Sequence, residues 1–375
     1  MSQSEANEGK TAGAERSVRA FHFSIDTLLI FVPVAVFLEH TRPDAHTLIF
    51  FAACVGIIPL AAWLGRATEQ IANRAGEGVG GLLNATFGNA AELIIAIVAL
   101  RAGQLDLVKA SLTGSIIGNV LLVLGASFLA GGLRYNVQNF NAITARAQAQ
   151  MLLVAAVAVI IPGLFHAMRS SGVEVNEAAI SLGIAFLLIV VYVLSLVFSL
   201  RTHKHLFQGS GESHHGGGEN AWSLGKALAV LALATFFIAW LSEILVGSVE
   251  QAANEIGMSK IFVGVIIVAV IGNAAEHSSA LTAAIRNRMD LTLSIAIGSS
   301  TQIALFVTPL LVFLSYFLAP RPMDLVFSLG ETFAIMIAAF VTAHTTSDGH
   351  SNWFTGVLLL GLYLILAIGF FHAPA

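Results

Sequence analysis

The stretch Gly88-Asn89-Ala90-Ala91-Glu92 recurs letter for letter as Gly272-Asn273-Ala274-Ala275-Glu276, 184 residues further on. Each copy lies in a long apolar run, LLNATFGNAAELIIAIVAL over 82–100 and VGVIIVAVIGNAAE over 263–276. A carboxylate there is expensive to place in a bilayer unless it faces a cavity or a partner group. Two copies of one expensive feature point to an internally duplicated membrane protein in which two acids meet. The register holds outside the pentapeptide. At the same offset Val79-Gly80 falls on Val263-Gly264, Asp106 on Asp290, and Gly114-Ser115 on Gly298-Ser299. Upstream, Glu69-Gln70 and Gly76 match Glu250-Gln251 and Gly257 at an offset of 181, so three residues separate the two registers.

Composition agrees with a membrane protein. The 375 residues are 57% hydrophobic and only 11% charged, with mean hydropathy +0.83, whereas soluble domains carry about 25% charged residues. The net charge of −4 is small, and no basic run suggests a nucleic-acid partner. Cys54 is the only cysteine, which excludes an intrachain disulfide and a Cys-based metal site. The first 20 residues are polar and lack the basic-then-apolar pattern of a signal peptide.

A span needs about 20 apolar residues. Eleven candidates meet or approach this: 24–39, 46–65, 79–101, 107–133, 143–165, 178–200, 223–247, 261–285, 291–318, 324–344 and 353–372. Backbone in contact with lipid must satisfy its own hydrogen bonds, so these are helices. The fold class expected is an all-α integral membrane protein, one N-terminal helix plus two inverted five-helix repeats. The units are a polar tail (1–23), a first span with its loop (24–45), a first repeat (46–200), a linker (201–222) and a second repeat (223–375). The linker is Gly-rich and holds His203, His205, His214 and His215. It reads as a solvated hinge rather than a metal-sensing loop, because its His pairs lack ligand spacing. Five spans per repeat is odd, so the second repeat lies upside down, as in secondary transporters whose site sits between repeats near the midplane. With the N-terminus inside, the inner segments hold 12 of the 18 Lys and Arg. That favours a cytoplasmic N-terminus and an external C-terminus.

Glu92 and Glu276 both fall near the middle of their spans. Asn89 and Asn273 precede them by three residues, a helical step that puts amide and carboxylate on one face. Gly88 and Gly272 permit close helix approach or a local break. The following helices add Ser111, Ser115 and Asn119 at steps of four, and Ser299 and Gln302 at a step of three. Such an all-oxygen set suits a hard cation; Ca²⁺ takes about six to eight oxygens in flexible geometry. Two negative charges at one dry site do not both stay ionised cheaply without a cation. Protons and a divalent cation therefore compete for the same groups, which is by itself a mechanism of exchange. His277 either relays protons or bonds a neighbouring helix. Glu243, Glu250 and Glu69 line an entry path or an interface, with Glu69 and Glu250 near span ends. Asp106 and Asp290 open their helices and read as N-terminal caps. Glu331 is a lone acid with no repeat mate.

The paired GNAAE motifs, LLNATFGNAAELIIAIVALRAG (82–103), GSSTQIALFVTPLLVF (298–313) and SDGHSNWFTGVLLLGLYLILAIGFF (347–371) resemble the cation/proton exchanger family of Ca²⁺/H⁺ antiporters, within the calcium/cation antiporter superfamily. The resemblance covers spans 2–11. It implies eleven helices with two inverted repeats, Ca²⁺ and H⁺ exchanged at Glu92 and Glu276, and supporting roles for Asn89, Asn273, Ser115, Ser299 and Gln302. Two features depart from the family: the central loop is His- and Gly-rich rather than an acidic helix, and Thr355 stands where an acidic residue is common.

The expectation is a multi-pass antiporter in a prokaryotic inner membrane, exporting Ca²⁺ for H⁺ by alternating access. It is not an enzyme and has no resident cofactor, with Ca²⁺, H⁺ and the bilayer as partners. A homo-oligomer is compatible with the sequence. The alternatives are a Na⁺-driven exchanger, which would carry Thr-Ser motifs before the acid, and a cation channel, which an inverted duplication suits less well. A membrane-embedded hydrolase finds no HExxH and no nucleophile pair.

Overall fold

The computed structural model describes residues 25–75, 80, 82–83, 86–170, 176–203 and 222–373. The polar tail 1–23 and most of the linker, with His205, His214 and His215, lie outside the described residues. After a 3₁₀ turn over Ile25–Ile30, the helices are α1 (Phe31–Thr41), α2 (His46–Ala72), α3 (Ala90–Arg101), α4 (Leu105–Arg134), α5 (Ala142–Ser170) and α6 (Glu177–Thr202). They continue as α7 (Leu224–Ile256), α8 (Lys260–Gly272), α9 (Ala274–Ile285), α10 (Met289–Leu318), α11 (Leu329–Thr345) and α12 (Trp353–Phe371). Among the described residues seven helices are long and apolar enough to cross a membrane, and α8 with α9, bent by 61° at Asn273, makes an eighth. Their outer surfaces expose large apolar side chains such as Phe186, Phe317, Phe340 and Ile365. So much contiguous apolar surface belongs against lipid.

Helix ends differ from the expected spans where local chemistry overrides hydropathy. α7 runs nine residues past the expected end at 247, to Ile256, because the polar stretch Glu250–Ile256 still has helical propensity and stops only at Gly257, with φ of 74°. α11 starts at Leu329 rather than 324: Pro320 and Pro322 hold the preceding loop irregular, and Ser328 with Glu331 forms a capping box. Glu331 is thus a helix-capping acid, 4% exposed, which also accepts from Thr113 Oγ1 at 3.3 Å.

Two contacts bind the molecule into one body. α2 lies along α7, with Ile57, Leu60, Leu64, Leu241 and Leu245 all buried in the core. The second half of α4 crosses α12 at Gly125 and Gly356, where a Cβ on Gly356 would stand 2.4 Å from Leu129 N. The connections gather at two ends of the helices. At one end a short antiparallel pair, β1 (Gln138–Asn139) and β2 (His350–Ser351), joins the loop after α4 to the loop before α12, with Gln138 opposite Ser351. At the other end Thr47 at the start of α2 donates through N and Oγ1 to Glu255 at the end of α7. Also there, Lys109 Nζ bonds Asp324 Oδ1 at 2.6 Å and Val326 O at 2.8 Å.

Candidate cation-exchange site

The two GNAAE motifs meet. Both helices carrying the acids begin again at the motif: Asn89 and Asn273 stand at the N-terminal boundaries of α3 and α9, so Glu92 and Glu276 occupy first turns. A negative group is stabilised there by the unpaired N–H groups and the dipole of the helix. The break at the motif, one of the two roles open to the glycines, is therefore present at Gly272-Asn273. Close approach is present as well. The Glu92 side chain lies against Gly272, where an added Cβ would sit 3.6 Å from its Cγ and 3.8 Å from its Oε1. Both acids are half-buried, while the amides beside them are nearly sealed, Asn89 at 2% and Asn273 at 1% exposure.

The amides are held crosswise. Asn89, from the first half of the chain, donates to Gln302 Oε1 on α10 at 2.7 Å and accepts from Ser299 Oγ at 2.5 Å. Asn273, from the second half, donates to Ser115 Oγ on α4 at 2.9 Å and to Ala269 O at 2.8 Å. Asn89 pairs with Asn273 and Ser115 with Ser299 at the 184 offset, so the same residue pair meets twice, with the hydroxyl donating in one contact and the amide in the other. Asn119 ties the halves together, donating to Asn273 Oδ1 at 3.3 Å and to Ser299 Oγ at 3.2 Å. The Ser299 hydroxyl gives its proton to Asn89 Oδ1 and accepts from Asn119. Glu276 Oε2 is buried without a hydrogen-bond partner among the described residues. That leaves a carboxylate oxygen beside a second carboxylate and a shell of amide and hydroxyl oxygens, a donor set for a hard cation or a proton.

Helix geometry supports the crosswise arrangement. Just past Ser115 and Ser299, α4 and α10 each carry a π-helical stretch, Gly118–Val123 and Ile303–Val307. The extra residue per turn re-aims side chains, and such stretches concentrate at functional sites. α4 meets α8 through glycines: a Cβ on Gly114 would lie 2.0 Å from Val265 O, and one on Gly264 2.5 Å from Ala110 Cβ.

The remaining acids and polar groups lie elsewhere or play other parts. Ser111 bonds Val108 O in its own helix and is no part of the cluster. Glu250 is exposed and pairs with Lys260 at 2.6 Å, while Glu69 and Glu243 are exposed. His277 is half-buried beside Glu276, its Nε2 without a hydrogen-bond partner among the described residues. Asp290 does not cap its own helix: the N-terminal boundary residue of α10 is Arg288, and Asp290 Oδ1 accepts from Asn141 N at 2.7 Å. Nor does Asp106 cap α4, whose boundary residue Gln104 has no side-chain cap. The Lys109–Asp324 pair was not anticipated; a lone lysine inside the apolar run LDLVKASLTGSIIGNV was its only signal.

Comparison with known proteins places the chain. The model of the family described as "Sodium/calcium exchanger protein" matches residues 45–201 and again 226–371. A Ca(2+)/H(+) antiporter of Synechocystis is 43% identical over 362 residues, covering 92% of this chain and 96% of the relative. The Ca(2+)/H(+) antiporter ChaA of Bacillus subtilis is 46% identical over 325 residues, covering 86% and 92%. Among solved structures, native YfkE superposes with a TM-score of 0.79 at 41% identity, covering 93% of this chain and 100% of that one. The chain belongs to the sodium/calcium exchanger protein family.

Proposed function

We infer that the chain is a Ca²⁺/H⁺ antiporter, and we propose that the Glu92/Glu276 pair is the site that Ca²⁺ and protons occupy in turn. Relatives that match nearly end to end carry that activity in their names. The observation that carries the site is the crosswise bracket: Asn89 on Ser299 and Asn273 on Ser115 hold two first-turn carboxylates against each other. Ca²⁺ binding neutralises both acids; protonation does the same and removes their affinity for the cation. Exchange follows without any further coupling device.

The finer architecture is part of the proposal. Eleven crossing segments are reached by counting α1, the helix ending in α3, α11 and the bent α8–α9 with the seven long helices. The two stretches matched by the family model, 45–201 and 226–371, support two repeats of like length. With the N-terminus in the cytoplasm, export of Ca²⁺ is driven by entering protons. The end of the molecule bearing β1 and β2 then faces the cytoplasm.

The test uses purified protein in lipid vesicles without Na⁺. An imposed pH gradient drives uptake of radioactive Ca²⁺ with protons moving the other way. Glu92→Gln or Glu276→Gln lowers that uptake about a hundredfold or more, since each removes a charge from a site that must bind a divalent ion. Uptake that requires Na⁺ would favour the Na⁺-driven reading, and near-normal uptake in either variant would remove the site assignment.

A further inference from the structure

Outside the carboxylate cluster, one buried polar side chain touches the machinery from an unexpected direction. Gln138 lies in β1, in the loop that follows α4 of the first repeat, and is 1% exposed. Its Nε2 donates to Ala284 O at 2.9 Å and to Asn287 Oδ1 at 2.9 Å. Those acceptors are the C-terminal end of α9, whose first turn holds Glu276. Ala284 O already accepts from Asn287 N at 3.0 Å, and the buried Gln138 amide adds a second donor that holds this helix end at a fixed place. The bonds span 146 and 149 positions in sequence. They therefore fix α9 to the other repeat, not to its own.

The surroundings make this seat specific. Gly131 admits the amide: an added Cβ there would stand 1.9 Å from Gln138 Oε1. Two residues beyond Gln138's acceptor, the start of α10 is tied to the same loop, because Asn141 N donates to Asp290 Oδ1 at 2.7 Å. The β1–β2 register then links Gln138 to Ser351 ahead of α12. The turn from α9 to α10 is therefore clamped at two points by one loop of the first repeat.

The repeat supplies its own comparison. Asn287 has φ of 58° and its mate at the 184 offset, Gly103, has φ of 74°, so both acid-bearing helices end in the same left-handed turn. At Gly103, the loop after α10 makes apolar contact: Pro320 Cγ would be 3.3 Å from an added Cβ. At the helix end after Glu92 the equivalent loop meets the turn through a proline ring; at the helix end after Glu276 it donates two hydrogen bonds.

We propose that Gln138 is a positioning residue of the exchange site, anchoring the half-helix that carries Glu276 to the loop of the opposite repeat. The matching turn on the Glu92 side is held differently, by Gln104 Nε2 donating to Val246 O of α7 at 3.0 Å and by the Pro320 ring. The proposal rests on Glu276 being a site residue.

The test is Ca²⁺ transport by purified protein in vesicles under a fixed pH gradient. Gln138→Leu keeps the side chain's bulk and removes both donors. It is expected to raise the Ca²⁺ concentration for half-maximal uptake about tenfold, the effect of losing one buried and one part-buried hydrogen bond, with the maximal rate within about twofold. Asn287→Gly keeps the left-handed turn, removes one acceptor, and is expected to raise that concentration about threefold. Pro320→Ala, at the opposite end, is expected to leave it within about twofold. If Gln138→Leu does not fold, Asn287→Gly decides. An unchanged half-maximal concentration in the folded variants overturns the proposal, and so does a fall in maximal rate that only follows the loss of folded protein. Glu276→Gln run in parallel separates the two ideas. Transport surviving it removes the site reading itself, whereas transport lost there with unchanged Gln138 and Asn287 variants removes only the anchor.

Discussion

At the scale of single residues, the site is two acids made tolerable by their neighbours. Asn273 illustrates the economy of the arrangement, since one amide bonds Ser115, Ala269 and Asn119 while sealed from solvent. Asn273→Ala leaves the Asn119 amide and the Ser115 hydroxyl without this partner in a buried setting, at a cost of about 1–3 kcal/mol. The expected outcome is a Ca²⁺ affinity lower by about five- to a hundredfold in equilibrium binding to purified protein, with the helical content intact. An affinity within twofold of the parent would mean that the amide does not support the site. These residues stand out in the sequence because each is an expensive polar group at an equivalent position in two apolar runs. Their partners were not. Helical spacing places Asn89 on a face with Glu92, but nothing in local spacing says that it will bond Ser299, 210 residues away.

At the scale of elements, the helices were legible because hydropathy and length fix a membrane span. Their ends were less so. Hydropathy carries no information on the Ser328–Glu331 capping box or on the Gly257 turn that stops α7. The close crossing of α4 and α8 is a further case. Gly114 and Gly298 are the same repeat position, yet a Cβ on Gly114 meets Val265 O at 2.0 Å while one on Gly298 meets, among the described residues, only Gln148 Nε2 at 3.7 Å. Backbone cannot yield as a side chain can. Gly114→Ala is expected to cost about 1–3 kcal/mol of stability by forcing the helices apart, read as a lowered unfolding temperature together with lost transport. Gly298→Ala is expected to leave both nearly unchanged. Equal effects at the two positions would show that α4 and α10 are packed alike, against the asymmetry seen here.

At the scale of the whole molecule, duplication explains why two acids lie together. Each half brings one carboxylate, two amides and one hydroxyl, and the hydrogen bonds among them cross between the halves. The shared register was legible in the sequence, and the family model matches two stretches of the chain; the different ties of the two turns, Gln138 to Ala284 and Asn287 against Gln104 to Val246 and a proline contact at Gly103, were not, because they depend on loops whose sequences have diverged. The central claim is that Ca²⁺ and protons occupy one pair of acids, and it makes pH dependence a matter of sign. Protonated carboxyls bind no cation, so Ca²⁺ affinity falls as pH falls, and Ca²⁺ binding expels protons. The most direct measurement is Ca²⁺ titration of the purified protein with simultaneous counting of released protons, repeated across pH. The account predicts proton release in step with Ca²⁺ bound, weaker binding at lower pH, and neither binding nor release in Glu92→Gln or Glu276→Gln. Ca²⁺ binding without proton release at every pH, or binding and release undiminished in either variant, would contradict it.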